Sequence, residues 1–165
     1  MSDADRARGR IVSRAVLAVT AIALVALAAL VVINIRHDQR EDAVAASSQA
    51  AESTLEKLLS YEAGSVEAEL EAELRSLTGD FRDEYRQLMK EQIIPAATKA
   101  DVTTRATVVS TAVVEPGRDR VELLVFVNVS TNSNELESER TSGARLKVTM
   151  VKVDDTWKIG EFTPV

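Results

Sequence analysis

The side chains able to do acid–base, nucleophilic or metal chemistry are few in this chain, and they are scattered. Cysteine is absent, which excludes thiol catalysis, Cys-ligated metal and disulfide bonds. The single histidine, His37, stands among Arg36, Asp38 and Arg40 at the end of a long apolar run, a usual interfacial mixture of charges. The carboxylates of the strand-rich half that could face an enclosed site are Glu115, Asp119, Glu122 and Glu161. Catalysis by one of them would need an inward setting that shifts its pKa. Glu115 and Asp119 fall in or next to a turn, Glu122 at the start of a strand and Glu161 near the end of one. Each reads as a strand-edge or solvent-facing charge. The glutamates at 67, 69, 71 and 73 crowd one helical segment and read as a solvated face rather than a metal cluster. No Ser-His-Asp set, His-x-x-x-His pair, Gly-rich phosphate loop or pair of metal carboxylates occurs. The residue types point away from an enzyme, and no catalytic, cofactor-binding or metal-ligating residue is assigned.

The aromatic residues are Tyr61, Phe81, Tyr85, Phe126, Trp157 and Phe162. Tyr61, Phe81, Tyr85, Phe126 and Trp157 suit two roles. They line an apolar pocket for a lipid-like ligand, or they fill a core with a polar tip reaching its edge. The pocket would be a cone formed where helices meet a curled sheet. Both readings rest on the same residues.

These side chains need elements to position them. From Ala15 to Ile35 the chain is one uncharged apolar run, AVLAVTAIALVALAALVVINI. At ~1.5 Å per helical residue it reaches about 30 Å, the thickness of a bilayer's hydrocarbon core. A signal peptide has a shorter apolar region, about 7–15 residues, with a small-residue cleavage site close behind. Here the charged stretch RHDQRED follows instead. The run reads as an uncleaved transmembrane helix. Arg6, Arg8, Arg10 and Arg14 precede it, and only Arg36 and Arg40 follow within about twenty residues. This imbalance puts a basic tail, 1–14, in the cytoplasm and everything after the single span, 15–35, outside the cell membrane.

Residues 43–165 hold 14 Lys/Arg against 21 Asp/Glu, a net charge of −7. Such an acidic domain repels phosphate backbones, which excludes nucleic acid as a partner. The domain is long enough for one core. Its helical part, with the juxtamembrane segment, covers 36–97, and its sheet part covers 98–165. In the first helix, Glu41–Tyr61, apolar residues recur every three or four positions. Its upper stretch, Ala43–Ala51, is mostly small side chains and suits a stalk or a face packed closely on a neighbour. Ser65 is placed to cap a second helix with Val66, Leu70, Leu74 and Leu77 along one side. Gly79 reads as its end and Asp80 as the cap of a third helix, whose apolar stripe is Phe81, Tyr85, Leu88, Met89 and Ile93. Pro95 predicts that the helix stops before Ile94.

Strand signals begin at Val102 with VTTRATVVSTAVV and continue in VELLVFVNVS, ARLKVTMVKV and TWKIGEFTPV. Glu115–Asp119 is a turn by composition, Thr131–Gly143 a polar loop, Val151–Val153 a bulge and Asp154-Asp155 a two-residue hairpin turn. Helices followed by strands argue for an α+β domain, four antiparallel strands curled over three helices.

The segments LEKLLSYE at 55–62, LTGDFRDEY at 77–85, IIPAA at 93–97, VELLVFVNVSTN at 121–132, RLKVTMVKVDDTWKI at 145–159 and the ending FTPV stand in a fixed order behind the membrane helix. In this the chain resembles the Mce-associated membrane proteins of actinobacteria, accessory proteins of mammalian-cell-entry lipid importers. That family often carries Tyr-Asp-Tyr where this chain has Tyr61-Glu62-Ala63. The resemblance implies an NTF2-like or VirB8-like domain, helices on a curved antiparallel sheet, behind the single span. It implies no active site and no cofactor. It implies a membrane-anchored accessory role, associating with and stabilising Mce-type importer subunits. Alternatives are a lipid or sterol ligand held in the cone, and a VirB8-like scaffold of a secretion system. An oligomer is compatible with each.

Overall fold

The computed structural model describes Leu24, Leu27, Leu30, Asn34 and residues 39–165. Those first four positions are helical and exposed; the rest of the apolar run Ala15–Ile35 lies outside the described residues. No described helix is long and apolar enough to cross a membrane. Met1–Gln39 and Arg40–Val165 are separate units, and the second holds the helices and the sheet that share a core.

Helix α1 covers residues 39–58. Ser47, Ala51, Thr54, Leu55 and Leu58 are buried, a stripe at helical spacing. The Ser47 hydroxyl donates to the Val44 carbonyl at 3.0 Å, so its complete burial leaves no unpaired donor. Val44, Ala50 and Leu59 pack on the same core. The small-residue stretch is therefore docked on its own domain from Val44 onward; it is not a free stalk. After α1, Tyr61 pairs with Thr104 as an isolated bridge, with N–H···O distances of 3.1 and 2.8 Å.

Helix α2 (Val66–Glu73) is extended by a 3₁₀ turn, Leu74–Ser76. Val66, Leu70, Leu74 and Leu77 are all buried, as their spacing predicts. Its start differs from the expectation. Ser65 makes no side-chain cap; its hydroxyl donates to Glu69 Oε1 at 2.6 Å instead. The other Glu69 oxygen accepts from the Glu62 N–H at 3.2 Å, so Glu69 ties the turn to the helix. Gly79 also has a different task. Leu77 forms a parallel bridge with Ile159, and the Thr78 N–H donates to the Ile159 carbonyl at 3.0 Å. The chain thus runs extended along the sheet's edge. Gly79, at φ +64°, turns it directly into α3 (Gly79–Leu88), with Asp80 in the first turn.

Pro95 does not end the helical segment. A π turn at Met89–Ile93 leads into α4 (Ile94–Ala100), with Pro95 in its first turn. A proline ring clashes with the carbonyl four residues back in a regular α-helix, and it lacks an N–H for that carbonyl. The wider π turn relieves both conflicts. The stop comes at Asp101, φ +51°, where the Val102 N–H bonds the Ala97 carbonyl at 2.9 Å.

Strands β1 (Thr103–Glu115), β2 (Arg120–Asn132), β3 (Arg140–Val153) and β4 (Thr156–Pro164) form an antiparallel meander in that order. Along β2, Val121, Leu123, Val125 and Val127 are buried and alternate with outward residues. The Asp154-Asp155 turn has φ of 47° and 59°, the geometry of a two-residue type I′ hairpin. The polar loop expected at Thr131–Gly143 is shorter, residues 133–139, because both its ends are strand, with Thr131 paired to Arg140 and Ser130 to Thr141. The Ser130 and Thr141 hydroxyls lie 2.8 Å apart across that pair, so polar residues extend the ladder beyond the core. Pairing is regular at Val151–Val153. The irregularity falls one step earlier, between Thr149 and Met150, where Gly160 is the extra residue on β4. A Cβ on Gly160 would approach Val151 Cγ2 to 3.0 Å, so glycine suits that close approach. Two further bulges, at Val109 and Val114, bend β1.

Helices and sheet share one core, in which Leu55, Leu58, Leu70, Leu77, Met89, Leu123, Met150 and Ile159 are fully buried. The fold is α+β, a four-stranded antiparallel sheet covered by helices.

Candidate functional site

The helix-covered side of the sheet is the place where the sequence allows a pocket. Phe81 and Tyr85 from α3 meet Phe162 from β4 there. Ring centroids lie 6.0 Å apart for Phe81–Tyr85, 5.2 Å for Phe81–Phe162 and 5.9 Å for Tyr85–Phe162. The last two pairs are edge-on, the arrangement that ring quadrupoles favour. Tyr85 is 5% exposed, and its hydroxyl donates to the Leu58 carbonyl at 3.3 Å. Burial pushes the Tyr85 phenol well above its ordinary pKa, and nearby Tyr61 adds to that. Burial also raises the Tyr61 phenol, partly offset by its hydrogen bond with Thr104. Tyr85 belongs to the cluster of buried side chains, and Tyr61, Phe81 and Phe162 pack against it.

Trp157, opposite Lys152 on β4, packs partly against the core but joins none of these ring contacts. Phe126 lies elsewhere. It alternates with buried Val125 and Val127, so it points from the sheet's outer face, between Ser110 and Arg145. The structure thus gathers Phe81 and Tyr85, adds Phe162 to them, sets Tyr61 beside them and leaves Phe126 apart.

The four candidate carboxylates stay on the surface. Glu115, Asp119 and Glu161 are exposed. Glu122 lies on the outer face, 3.0 Å from Lys147 Nζ and 3.7 Å from Arg120. The Lys147 hydrogen bond holds its carboxyl below the usual range. His37 lies outside the described residues. Among the described residues, no group of three or more acidic or histidine side chains is arranged to hold a metal. No buried side-chain nitrogen or oxygen among them lacks a hydrogen-bond partner.

An open groove of about 590 Å³ runs between the end of α1, α2 and the start of β1, lined by Glu56, Tyr61, Glu62, Glu69, Glu73 and Arg105 among others. Two of its carboxylates have structural tasks. Glu69 holds the α2 turn, and Glu56 Oε1 accepts from the Val108 N–H at 2.9 Å. Beside Glu56, the Ser60 hydroxyl accepts from the Ala106 N–H at 2.9 Å, and the Thr111 hydroxyl donates to Glu52 at 2.7 Å. Sequence reasoning missed this row. Glu52 and Glu56 on α1 and Ser60 just beyond it recur every four residues; Glu56 and Ser60 accept backbone N–H groups at the free edge of β1, which would otherwise be a template for another strand, and Glu52 holds the Thr111 side chain beside them.

The sequence profile of the family described as "Uncharacterized protein Rv1363c/MT1408-like" matches residues 10–164. The uncharacterized protein Rv1362c of Mycobacterium tuberculosis is 36% identical over 133 residues, 79% of this chain and 60% of that protein. The chain thus spans about 60% of that relative's length. The outer membrane protein Rv1973 of the same organism is 33% identical over 123 residues, covering 74% of this chain and 76% of its own. Among solved structures, an IcmL-like type IV secretion system protein from Legionella pneumophila superposes with a TM-score of 0.58 at 8% identity, covering 70% of this chain and 88% of that one. The periplasmic domain of DotI gives 0.57 at 13%, covering 71% and 91%. CagV, a VirB8 homolog of the type IV secretion system from Helicobacter pylori, gives 0.57 at 13%, covering 73% and 97%. At these identities the likeness is one of fold, that of VirB8-type periplasmic domains.

Proposed function

The chain belongs to the Rv1363c/MT1408-like family, and from that membership and its fold we propose that it is a non-catalytic scaffold subunit of a multi-subunit transport assembly in the cell envelope. The apolar run Ala15–Ile35 anchors it in the cell membrane with its basic tail in the cytoplasm. Residues 40–165 stand on the extracytoplasmic side and hold protein partners. The observation that carries this reading is the fold itself, a helix-covered meander like that of the VirB8 homolog, with one cluster of buried side chains between helices and sheet. A core of buried side chains and surface carboxylates fit protein contact better than turnover of a substrate. The anchor supports the role physically. Confinement to a membrane raises the domain's effective concentration near partners in that membrane, so weak contacts suffice. Binding only the assembled state raises its population.

Two kinds of assembly fit. A secretion-type complex is suggested by the structural neighbours, two of which are described as type IV secretion proteins. An Mce-type lipid or sterol importer is suggested by the segments LTGDFRDEY and VELLVFVNVSTN and their order in the chain. In-membrane photocrosslinking of the tagged full chain, then purification and identification of the captured subunits, separates them. Secretion subunits support the first and importer subunits the second. A chain that crosslinks to neither sinks the scaffold reading. Capture of labelled sterol or lipid by residues around Tyr85, with no protein partner, would favour a ligand-holding domain instead.

A further inference from the structure

The sheet has two faces, and helices cover only the one that carries Val121, Leu123, Val125 and Val127. On the other face, the centre of β2 presents Leu124 and Phe126, both half-buried. Arg145 and Lys147 of β3 are their direct cross-strand partners. Arg120 at the start of β2 and Lys158 of β4 share this face by register, each paired with Val151. Glu115, Glu122 and Glu161 oppose these charges there; Glu122 is already bonded to Lys147 and Arg120, and Glu115, its partner on β1, lies at the far end of the face from Arg145. A basic rim around an apolar centre is unexpected on a domain whose net charge is −7.

The compensating acid is concentrated on the helices. Helix α2, VEAELEAE, carries four glutamates and no base. Glu67, Glu69 and Glu71 on it are exposed, and its only buried residues are Val66 and Leu70. One molecule thus carries both halves of a complementary pair, on different elements.

We propose that the outer sheet face docks the acidic α2 face of a second copy of this chain. The contact is heterologous, sheet to helix, so it adds copies head to tail and needs no twofold axis. Leu124 and Phe126 supply the apolar centre, and the basic rim supplies orientation and selectivity against like-charged surfaces. Phe126 thereby acquires a role that the core does not give it. Such self-docking goes beyond the scaffold role and does not depend on it.

Sedimentation of the full chain in a nonionic detergent, at low and high salt, tests it. Reversible self-association is expected at low salt. It should weaken as the Debye length falls from about 10 Å at ~0.1 M to about 3 Å at ~1 M. Arg145→Glu with Lys158→Glu should weaken association at least about tenfold, as should Glu67→Lys with Glu71→Lys. Arg145, Glu67 and Glu71 are exposed and Lys158 is half-buried on the outer face, and the Glu71–Arg86 pair that is lost is an exposed one at 3.8 Å. The decisive variant carries all four substitutions. With both faces reversed, complementarity returns and the chain should associate again. A chain that is monomeric at every concentration overturns the proposal. So does association that neither pair of substitutions alters, or a fourfold variant that stays monomeric while its circular dichroism is native. Binding of the unaltered chain to vesicles of anionic lipid through Arg145 and Lys158, without self-association, would also overturn it in favour of a membrane-facing sheet.

Discussion

Truncation of Tyr85 tests whether the interior beneath the sheet is packed or is a pocket. Its ring contacts Phe81 and Phe162 at 6.0 and 5.9 Å and is 5% exposed. Removing a buried aromatic side chain costs about 3–5 kcal/mol, from lost transfer energy and the residual cavity. The two ring pairs place Tyr85→Ala toward the upper end, since each such pair adds about 0.5–1.5 kcal/mol beyond area burial. That is a large share of the ~5–15 kcal/mol by which a domain is stable. Tyr85→Phe isolates the hydroxyl. Its bond to the Leu58 carbonyl is long at 3.3 Å, so the loss belongs at the low end of the ~0.5–1.5 kcal/mol typical of one hydrogen bond. The assay is urea unfolding of the full chain in mild detergent, read by the fluorescence of Trp157, its one tryptophan. The expected order is a small loss for Phe and one several times larger for Ala. A loss below about 1 kcal/mol for Tyr85→Ala would refute the packed interior, because such values belong to positions outside a core. Recovery of the lost stability on adding lipid would point to a ligand site instead.

The same contacts set three other expectations. The phenols of Tyr61 and Tyr85 have folded pKa values raised by burial. Their contribution is fully present below about pH 10, the unfolded value, and is lost as pH rises beyond it toward the folded values. Tyrosinate absorbance and circular dichroism should therefore change together in one alkaline step; ionisation near the unfolded value with the fold intact would contradict the burial. Glu56→Ala removes the acceptor of the Val108 N–H at the sheet's edge. It should reduce stability by about 1 kcal/mol and speed amide exchange at Val108; unchanged exchange would mean that the carboxylate does not protect the edge. Asp155→Gly relieves a non-glycine residue at φ 59°. It should be neutral or stabilising by up to about 1 kcal/mol in thermal unfolding, and a clear loss would show that the side chain of Asp155 matters more than its backbone.

Local periodicity made much of this fold legible. Val66, Leu70, Leu74 and Leu77 lie on one helical side, because that pattern is set by the geometry of its own element. The Asp154-Asp155 hairpin was legible for the same reason. What escaped depends on contacts between distant segments. Gly79 reads locally as a helix end, but the bridge from Leu77 to Ile159 determines its task. Pro95 reads as a stop, and the preceding π turn removes the clash that would enforce one. The row Glu52, Glu56 and Ser60 looks like an ordinary solvated helix side until β1 is laid against it. Among the aromatic residues, nothing local separates Phe126 from Tyr85. Only the register of β2 places one on the outer face and the other in the core.

The scaffold role is tested most directly in cells from which this chain has been deleted, by native gel separation of their solubilised membranes. The account predicts that the full chain migrates within a large membrane complex. It predicts that the partner subunits fall in amount without the chain, and that re-expressing Met1–Val165 restores them, whereas residues 40–165 without the apolar run do not. Partner levels and complex size that are unchanged by deletion, with the chain migrating alone, would contradict it.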